Sequence, residues 1–217
     1  MKQIRQMLAK GAATQLVRLT LSRQAMIERG GFLNLMERIF TPMAPSYDRI
    51  WARMGPSSQL LAPLDTALKT LSPAPQRILD LACGTGLATF RAREHFPRAF
   101  VVGADLSESM VRTLMTKRAS DGAAPVTGLV ANSGMLTFRD HTFDLVMTQN
   151  APPYLEEMVR VLRPEGSLIL AYSFVYVNAL RRPTEKRLQE LPLDGITVIP
   201  AAEGMAVTAR KRRGGPR

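Results

Sequence analysis

From residue 77 onward, short apolar runs alternate with stretches whose apolar positions recur at helical spacing. The strand-like runs are 77–82, 99–104, 126–131, 143–148, 167–174, 196–200 and 205–209. Between them, 87–94, 107–117, 154–162 and 179–191 have helical length and spacing. Strands alternating with helices predict a parallel sheet covered on both faces. Only residues 201–204 separate the last two strands, which suits a hairpin, whereas a parallel crossover needs about a dozen residues or more. The sheet is therefore expected to end in an antiparallel pair.

Residues 1–74 lie outside this alternation and contain further helical stretches at 32–40 and 59–71. They are expected to form an N-terminal arm and cap, followed by a sheet domain over 75–212 and a basic tail over 213–217. Ligands of open α/β sheets bind beyond the carboxyl ends of the strands, so a helical cap would close over the site. The first acidic residue is Glu28, preceded by Lys2, Arg5, Lys10, Arg18 and Arg23 among apolar residues such as Met7, Leu16, Val17 and Leu21. Such an arm suits a lid helix first, a membrane-surface helix second and an Arg-rich presequence third.

Composition narrows the class. Of 217 residues, 46% are hydrophobic, 22% charged and 6% aromatic, which argues against collagen-like, coiled-coil and disordered chains. A lone cysteine, Cys83, rules out an intrachain disulfide, and with two histidines it leaves no zinc ligand set. The best uncharged apolar run, 166–180, falls short of the roughly 20 residues of a membrane span. The net charge of +11 permits attraction to nucleic acid, anionic lipid or acidic small molecules without choosing among them.

The segment 78–89, Ile-Leu-Asp-Leu-Ala-Cys-Gly-Thr-Gly-Leu-Ala-Thr, reads as an apolar strand, a glycine turn and a helix start. Alone it could be only a tight turn that glycine permits. Thr89 stands where a dinucleotide fingerprint needs Gly or Ala, and no Gly-Lys-Ser/Thr phosphate loop follows. A second strand ends at Asp105, 19 residues after Gly86, before a helix headed by Ser107. A carboxylate at that strand tip can accept both ribose hydroxyls of a nucleoside lying across the first turn. Glycine turn and carboxylate together favour a nucleoside site.

With these segments, residues 40–212 resemble the class I S-adenosylmethionine-dependent methyltransferases. The carriers are Leu79-Asp80-Leu81-Ala82-Cys83-Gly84-Thr85-Gly86, Gly103-Ala104-Asp105-Leu106-Ser107, Phe143-Asp144-Leu145-Val146 and Arg160-Val161-Leu162-Arg163-Pro164-Glu165-Gly166. The family commonly has Gly at the position of Glu165. Ala44-Pro45-Ser46-Tyr47-Asp48 is similar to the opening segment of the small-molecule and quinone-modifying branch. The resemblance implies a Rossmann-like, doubly wound, mostly parallel seven-stranded sheet with an antiparallel last strand.

It also implies roles. The backbone at Ala82, Gly84 and Gly86 would hold the methionine part of S-adenosylmethionine, Asp80 its ammonium and Asp105 its ribose. Leu106 and Met110 would pack on adenine, and Asn132, followed by Ser133, stands where many relatives read the adenine amino group with Asp. The methyl would pass by in-line displacement to a small organic acceptor. Tyr47 and Asn150 are the first candidates for handling an acceptor proton, with Tyr154 and Tyr172 behind them; Trp51, Ile50 and Met54 are candidates for the acceptor pocket. His95 and His141 are expected at the surface. Asn150-Ala151-Pro152-Pro153-Tyr154 approaches the Asn-Pro-Pro-Tyr signature of amino-group methyltransferases, but the inserted Ala spoils the spacing, and nucleic acid is the less favoured substrate. The expected setting is cytoplasmic; the alternatives are a membrane-associated quinone or phospholipid methyltransferase, in peripheral contact through the basic arm, and a regulatory module that binds the cofactor without turnover.

Overall fold

The computed structural model describes residues 2–22, 30–121 and 126–214. Arg23 and Glu28 of the arm, and residues 215–217 of the tail, lie outside them. The elements run α1 (Lys2–Ser22), α2 (Gly30–Phe40), a 3-10 turn (Thr41–Ser46), α3 (Tyr47–Met54) and α4 (Ser57–Leu68). The alternating part follows as β1 (Arg77–Leu81), α5 (Leu87–His95), β2 (Phe100–Asp105), α6 (Glu108–Asp121), β3 (Val126–Val130) and β4 (Phe143–Gln149). The chain closes with α7 (Leu155–Val161), β5 (Leu162–Tyr172), α8 (Val177–Gln189), β6 (Leu193–Ala201) and β7 (Gly204–Lys211).

The seven strands form one sheet in the order β3-β2-β1-β4-β5-β7-β6. Pairs from β3 through β5 are parallel, whereas β7 runs antiparallel to both β5 and β6, as the short 201–204 connection requires. Strand residues alternate between two cores. Leu79, Val102, Val146 and Leu168 face one side with Val17 and Leu21 of α1, while Ile78, Val101, Leu145 and Ile169 face the other with Leu61, Leu64 and Leu68 of α4. Burial on both faces is why these strands read as near-continuous apolar runs.

The N-terminal segment therefore divides. Helix α1 lies on one face beside α8, α4 lies on the opposite face, and α2, the 3-10 turn and α3 lie between them in sequence. Thr41 Oγ1 donates to Ser107 Oγ at 2.9 Å and Ser109 Oγ donates to the Thr41 carbonyl at 2.9 Å, tying the 3-10 turn to the start of α6.

Asp144, buried at the start of β4, accepts the backbone N–H groups of Gln76 and Arg77 at 2.6 and 2.9 Å and pairs with Arg163 at 2.9 Å. That clamp sets the head of β1 against β4, and so fixes where β1 ends. The β5 ladder starts at Leu162, five residues before the apolar run suggests, with a register irregularity opposite Phe143 and Leu145. Glu165 sits there at φ 61°, the left-handed conformation that glycine adopts without strain. His141 is exposed as expected; His95 is instead half-buried, its Nε2 3.0 Å from Asp65 of α4 beside Arg91. Among the described residues, no helix is long and apolar enough to cross a membrane.

Candidate cofactor and acceptor site

Strands β1, β2 and β4 deliver their last residues to one cleft. Leaving β1, the chain reverses through Ala82 at φ 53°, Gly84 at φ 53° and Gly86 at φ 92° before α5 begins. At Gly86 a Cβ would press on Leu114 at 2.9 Å and Phe90 at 3.0 Å, so that glycine serves the turn and its packing, and it does not line the cleft. Gly84 does line it, and the Tyr47 ring lies 3.6 Å from the place a Cβ on Gly84 would take.

Asp105 ends β2 with its carboxylate folded onto that turn. Its oxygens accept the N–H groups of Gly84 at 2.8 Å and Ser107 at 2.9 Å. Ser107 caps α6, its Oγ 3.4 Å from the Met110 N–H. Burial raises the Asp105 carboxyl above its ordinary range, and the hydrogen bonds from Ser107 and Gly84 partly offset this.

Asp80, fully buried near the end of β1, is the more unusual group. Thr89 Oγ1 donates to its Oδ2 at 2.6 Å, while Oδ1 is buried with no hydrogen-bond partner. Burial pushes its carboxyl up to about 7, and the neighbouring charge of Asp105 adds to the effect. An orphaned buried carboxylate oxygen is costly unless a donor reaches it. The same burial and the two carboxylates push the Cys83 thiol well up, which keeps it protonated and unreactive.

Three connected hollows surround these residues. The largest, about 250 Å³, is lined by Asp105, Leu106, Ser107, Met110, Ser133 and Tyr154 and roofed by Leu16, Met36, Ile39 and Phe40. A recess of about 40 Å³ lies over Asp80, Ala82 and Gly84 under Tyr47 and Trp51. The third, of about 100 Å³, lies under α1. Asn150 borders all three.

Most of the sequence-predicted residues thus meet in one place, with three exceptions in detail. Gly86 stands back as described. Asn132 spends its side-chain oxygen on the Gly134 N–H at 2.9 Å and does not line the cleft, whereas its neighbour Ser133 does. Asn150, at φ 55°, directs both ends of its amide to Ser173: Oδ1 accepts the Ser173 N–H at 2.7 Å and Nδ2 donates to Ser173 Oγ at 2.9 Å. It shapes the junction and is not placed to take a proton. Burial, with Asp105 and Asp48 close by, raises the Tyr47 hydroxyl above its ordinary range, so at neutral pH it is a donor and not a base.

Two further residues join the site: Gln149, which the sequence did not single out, and Asp48, which it offered only as the partner of Tyr47 in the segment 44–48. Gln149 ends β4, donating from Nε2 to the Leu60 carbonyl at 2.8 Å and to Ser173 Oγ at 2.9 Å, with its Oε1 left buried and unpartnered beside the Asp80 recess. Asp48 accepts from Thr85 Oγ1 at 2.5 Å and pairs with Lys117 at 2.5 Å, locking α3 onto the glycine turn. The Tyr-Asp pair was a signal; the polar tether it makes was not legible from spacing.

The recess suits the amino-acid end of S-adenosylmethionine. Two residues that line it, Asp80 and Gln149, each carry a buried acceptor oxygen without a donor, Oδ1 and Oε1, of the kind an ammonium group would satisfy. Asp105, Leu106 and Met110 offer an acceptor carboxylate and an apolar wall at the nucleoside end. Strand order, glycine turn and acidic tip together define the class I S-adenosylmethionine-dependent methyltransferase fold. Residues 78–166 match the methyltransferase domain family.

Similar proteins agree with this class. The chain is 34% identical over 139 residues to a demethylmenaquinone methyltransferase of Thermus thermophilus, covering 61% of this chain and 63% of that protein. It is 32% identical to a ubiquinone/menaquinone biosynthesis C-methyltransferase of Dinoroseobacter shibae, covering 63% of this chain and 58% of that one. A malonyl-[acyl-carrier protein] O-methyltransferase of Methylococcus capsulatus is 31% identical, over 61% of this chain and 56% of its own. The chain thus matches only about three fifths of the length of these relatives. Among solved structures, a methyltransferase dependent on S-adenosylmethionine from Aquifex aeolicus superposes with a TM-score of 0.60 at 18% identity, covering 75% of this chain and 97% of that one.

Proposed function

We propose that the protein transfers a methyl group from S-adenosylmethionine to a small organic acceptor. The observation that carries this is the orphaned, buried carboxylate oxygen of Asp80 beneath a glycine turn whose N–H is held by Asp105. When bound, the cofactor supplies a methyl made electrophilic by its sulfonium.

The chain's own part is placement. Asp80 and Gln149 hold the ammonium end, Asp105 the ribose, and Leu106 and Met110 the adenine. Tyr47 and Trp51, whose rings meet edge to face at 5.9 Å, close over the recess and keep water from the reacting centre. Holding acceptor and donor at attack distance supplies roughly 7–11 kcal/mol, which is enough for a transfer without a dedicated base. Calorimetric titration with S-adenosylmethionine and with its demethylated product is expected to give micromolar binding of both. Absence of binding of either would remove the proposal.

A second setting for the same chemistry is favoured by a particular surface. Leu16 and Leu19 of α1 and Leu35, Ile39 and Phe40 of α2 are exposed, and Leu16, Ile39 and Phe40 also roof the cleft. Beside α1, a groove carries Arg18, Arg182 and Lys186. Exposed apolar residues with cations on the same helix suit contact with an anionic bilayer that holds a lipid-soluble acceptor, and two of the relatives above are named as a demethylmenaquinone methyltransferase and a ubiquinone/menaquinone biosynthesis C-methyltransferase. Cosedimentation with vesicles containing phosphatidylglycerol is expected for the full chain and is expected to be lost in the double variant Leu19→Glu, Leu35→Glu. Equal sedimentation of both proteins, or of neither, would remove the membrane contact and leave the transfer reaction standing.

A further inference from the structure

The 100 Å³ hollow under α1 is lined in part by Tyr172, which carries a polar atom that the fold does not use. Tyr172, at the end of β5, is 1% exposed and its hydroxyl is buried without a hydrogen-bond partner. Its ring packs in the core, so phenylalanine would fill the same space. The surrounding walls are mostly apolar and partly aromatic, with Leu16 and Val17 of α1, Trp51 of α3, Phe174 and Val175, while the Thr20 hydroxyl donates to the Val17 carbonyl. Asn150, the polar wall residue that follows β4, directs its amide to Ser173 and makes no bond to the hydroxyl.

The hollow is also correctly placed for an acceptor. It shares Trp51 and Asn150 with the recess over Asp80, and Leu16, Asn150, Ala151 and Pro152 with the larger cleft. The hollow thus borders the recess over Asp80, and Asp105 is not among the residues that line it. The volume is about two thirds of the roughly 150 Å³ that encloses a benzene ring. It thus admits part of one ring, and the larger cleft, with which it shares Pro152, adjoins it.

Building on the methyltransferase reading above, we infer that this hollow is the acceptor subsite and that Tyr172 is its specificity-determining residue, donating a hydrogen bond to a ring-borne oxygen of a single-ring aromatic or quinonoid acceptor. Burial alone raises the Tyr172 hydroxyl, with no charged group acting on it, so it stays protonated and serves only as a donor. A site built to hydrogen-bond an oxygen discriminates against the analogue that lacks it, because the buried hydroxyl is then left unpaired.

The test uses the full chain saturated with S-adenosylhomocysteine, and two probes of one shape: acetophenone, and α-methylstyrene, in which a methylene replaces the oxygen. Ligand-observed NMR titration is expected to show acetophenone binding at least about fivefold tighter to the wild type. Tyr172→Phe is expected to abolish that preference while leaving α-methylstyrene and S-adenosylhomocysteine within about twofold of wild type. The variant removes a hydroxyl that bonds to nothing in the fold, and a melting temperature at or above wild type confirms an intact protein. A preference that persists in the variant, or equal binding of both probes by wild type, overturns the inference while the methyltransferase reading stands. Failure of the wild type to bind S-adenosylhomocysteine overturns both.

Discussion

Asp105→Ala is expected to weaken binding of S-adenosylmethionine by at least about 100-fold. The carboxylate already accepts from Gly84 and Ser107, and its remaining lone pairs face the cleft. Two hydrogen bonds from ribose hydroxyls to a charged group contribute about 1.5–3 kcal/mol each, and every 1.4 kcal/mol is tenfold in affinity. Alanine also frees the Gly84 N–H, so the turn that receives the methionine end loses its anchor. Asp105→Asn keeps one acceptor and the shape, and is expected to fall by about tenfold. Calorimetry on the three proteins checks this, and an alanine variant within threefold of wild type would remove the ribose assignment.

The second large effect concerns Asp80 and reverses sign between cofactor-free and bound protein. Its carboxyl is at about 7 when folded against an ordinary 3.8. A carboxyl raised on folding leaves stability intact below pH 3.8, and stability falls as pH climbs toward 7 because the unfolded chain ionises there while the folded carboxyl must keep its proton. The full penalty above pH 7 is on the order of 4 kcal/mol. Asp80→Asn is therefore expected to raise the urea midpoint of the free protein at pH 8 and to leave it nearly unchanged at pH 3.5. The ionised carboxylate is what an ammonium group pairs with. Wild-type affinity for S-adenosylmethionine is accordingly expected to rise by up to tenfold per pH unit from 5.5 to 6.5, levelling above 7, while the variant binds at least about 30-fold more weakly at pH 7.5 with a flat profile. A variant as stable at pH 8 as wild type, or a wild-type profile without slope, would contradict the buried charge.

The sheet was legible because parallel strands buried on both faces must be apolar throughout, and 143–149 is the clearest case, with even its aspartate absorbed by the neck of β1. The cleft was legible through its backbone demands: residues that reverse a chain in the left-handed region and a carboxylate at the next strand's tip leave marks at fixed spacing. Helix α3 was not legible. Its eight residues, Tyr-Asp-Arg-Ile-Trp-Ala-Arg-Met, follow two prolines and are too few to show a period, and the tether at Asp48 that holds it spans 37 residues to Thr85. Asn150 and Gln149 were opaque for the same reason, since both answer to Ser173, on a different strand end. Residue type announced polar chemistry there; only folding decided that the amide of Asn150 is consumed by the scaffold.

The tether at Asp48 couples the two sides of the recess. Asp48 grips Thr85, in the glycine turn, and Lys117 of α6, which also donates to the Thr85 carbonyl at 2.9 Å. The roof and the floor of the recess are thus one thermodynamic unit. By reciprocity, whatever steadies the floor must steady the roof by the same free energy, and whatever pries the roof open must loosen the grip below. Filling of the floor and closure of the roof are therefore expected to favour one another equally, so that the recess is won or lost as a whole and not wall by wall.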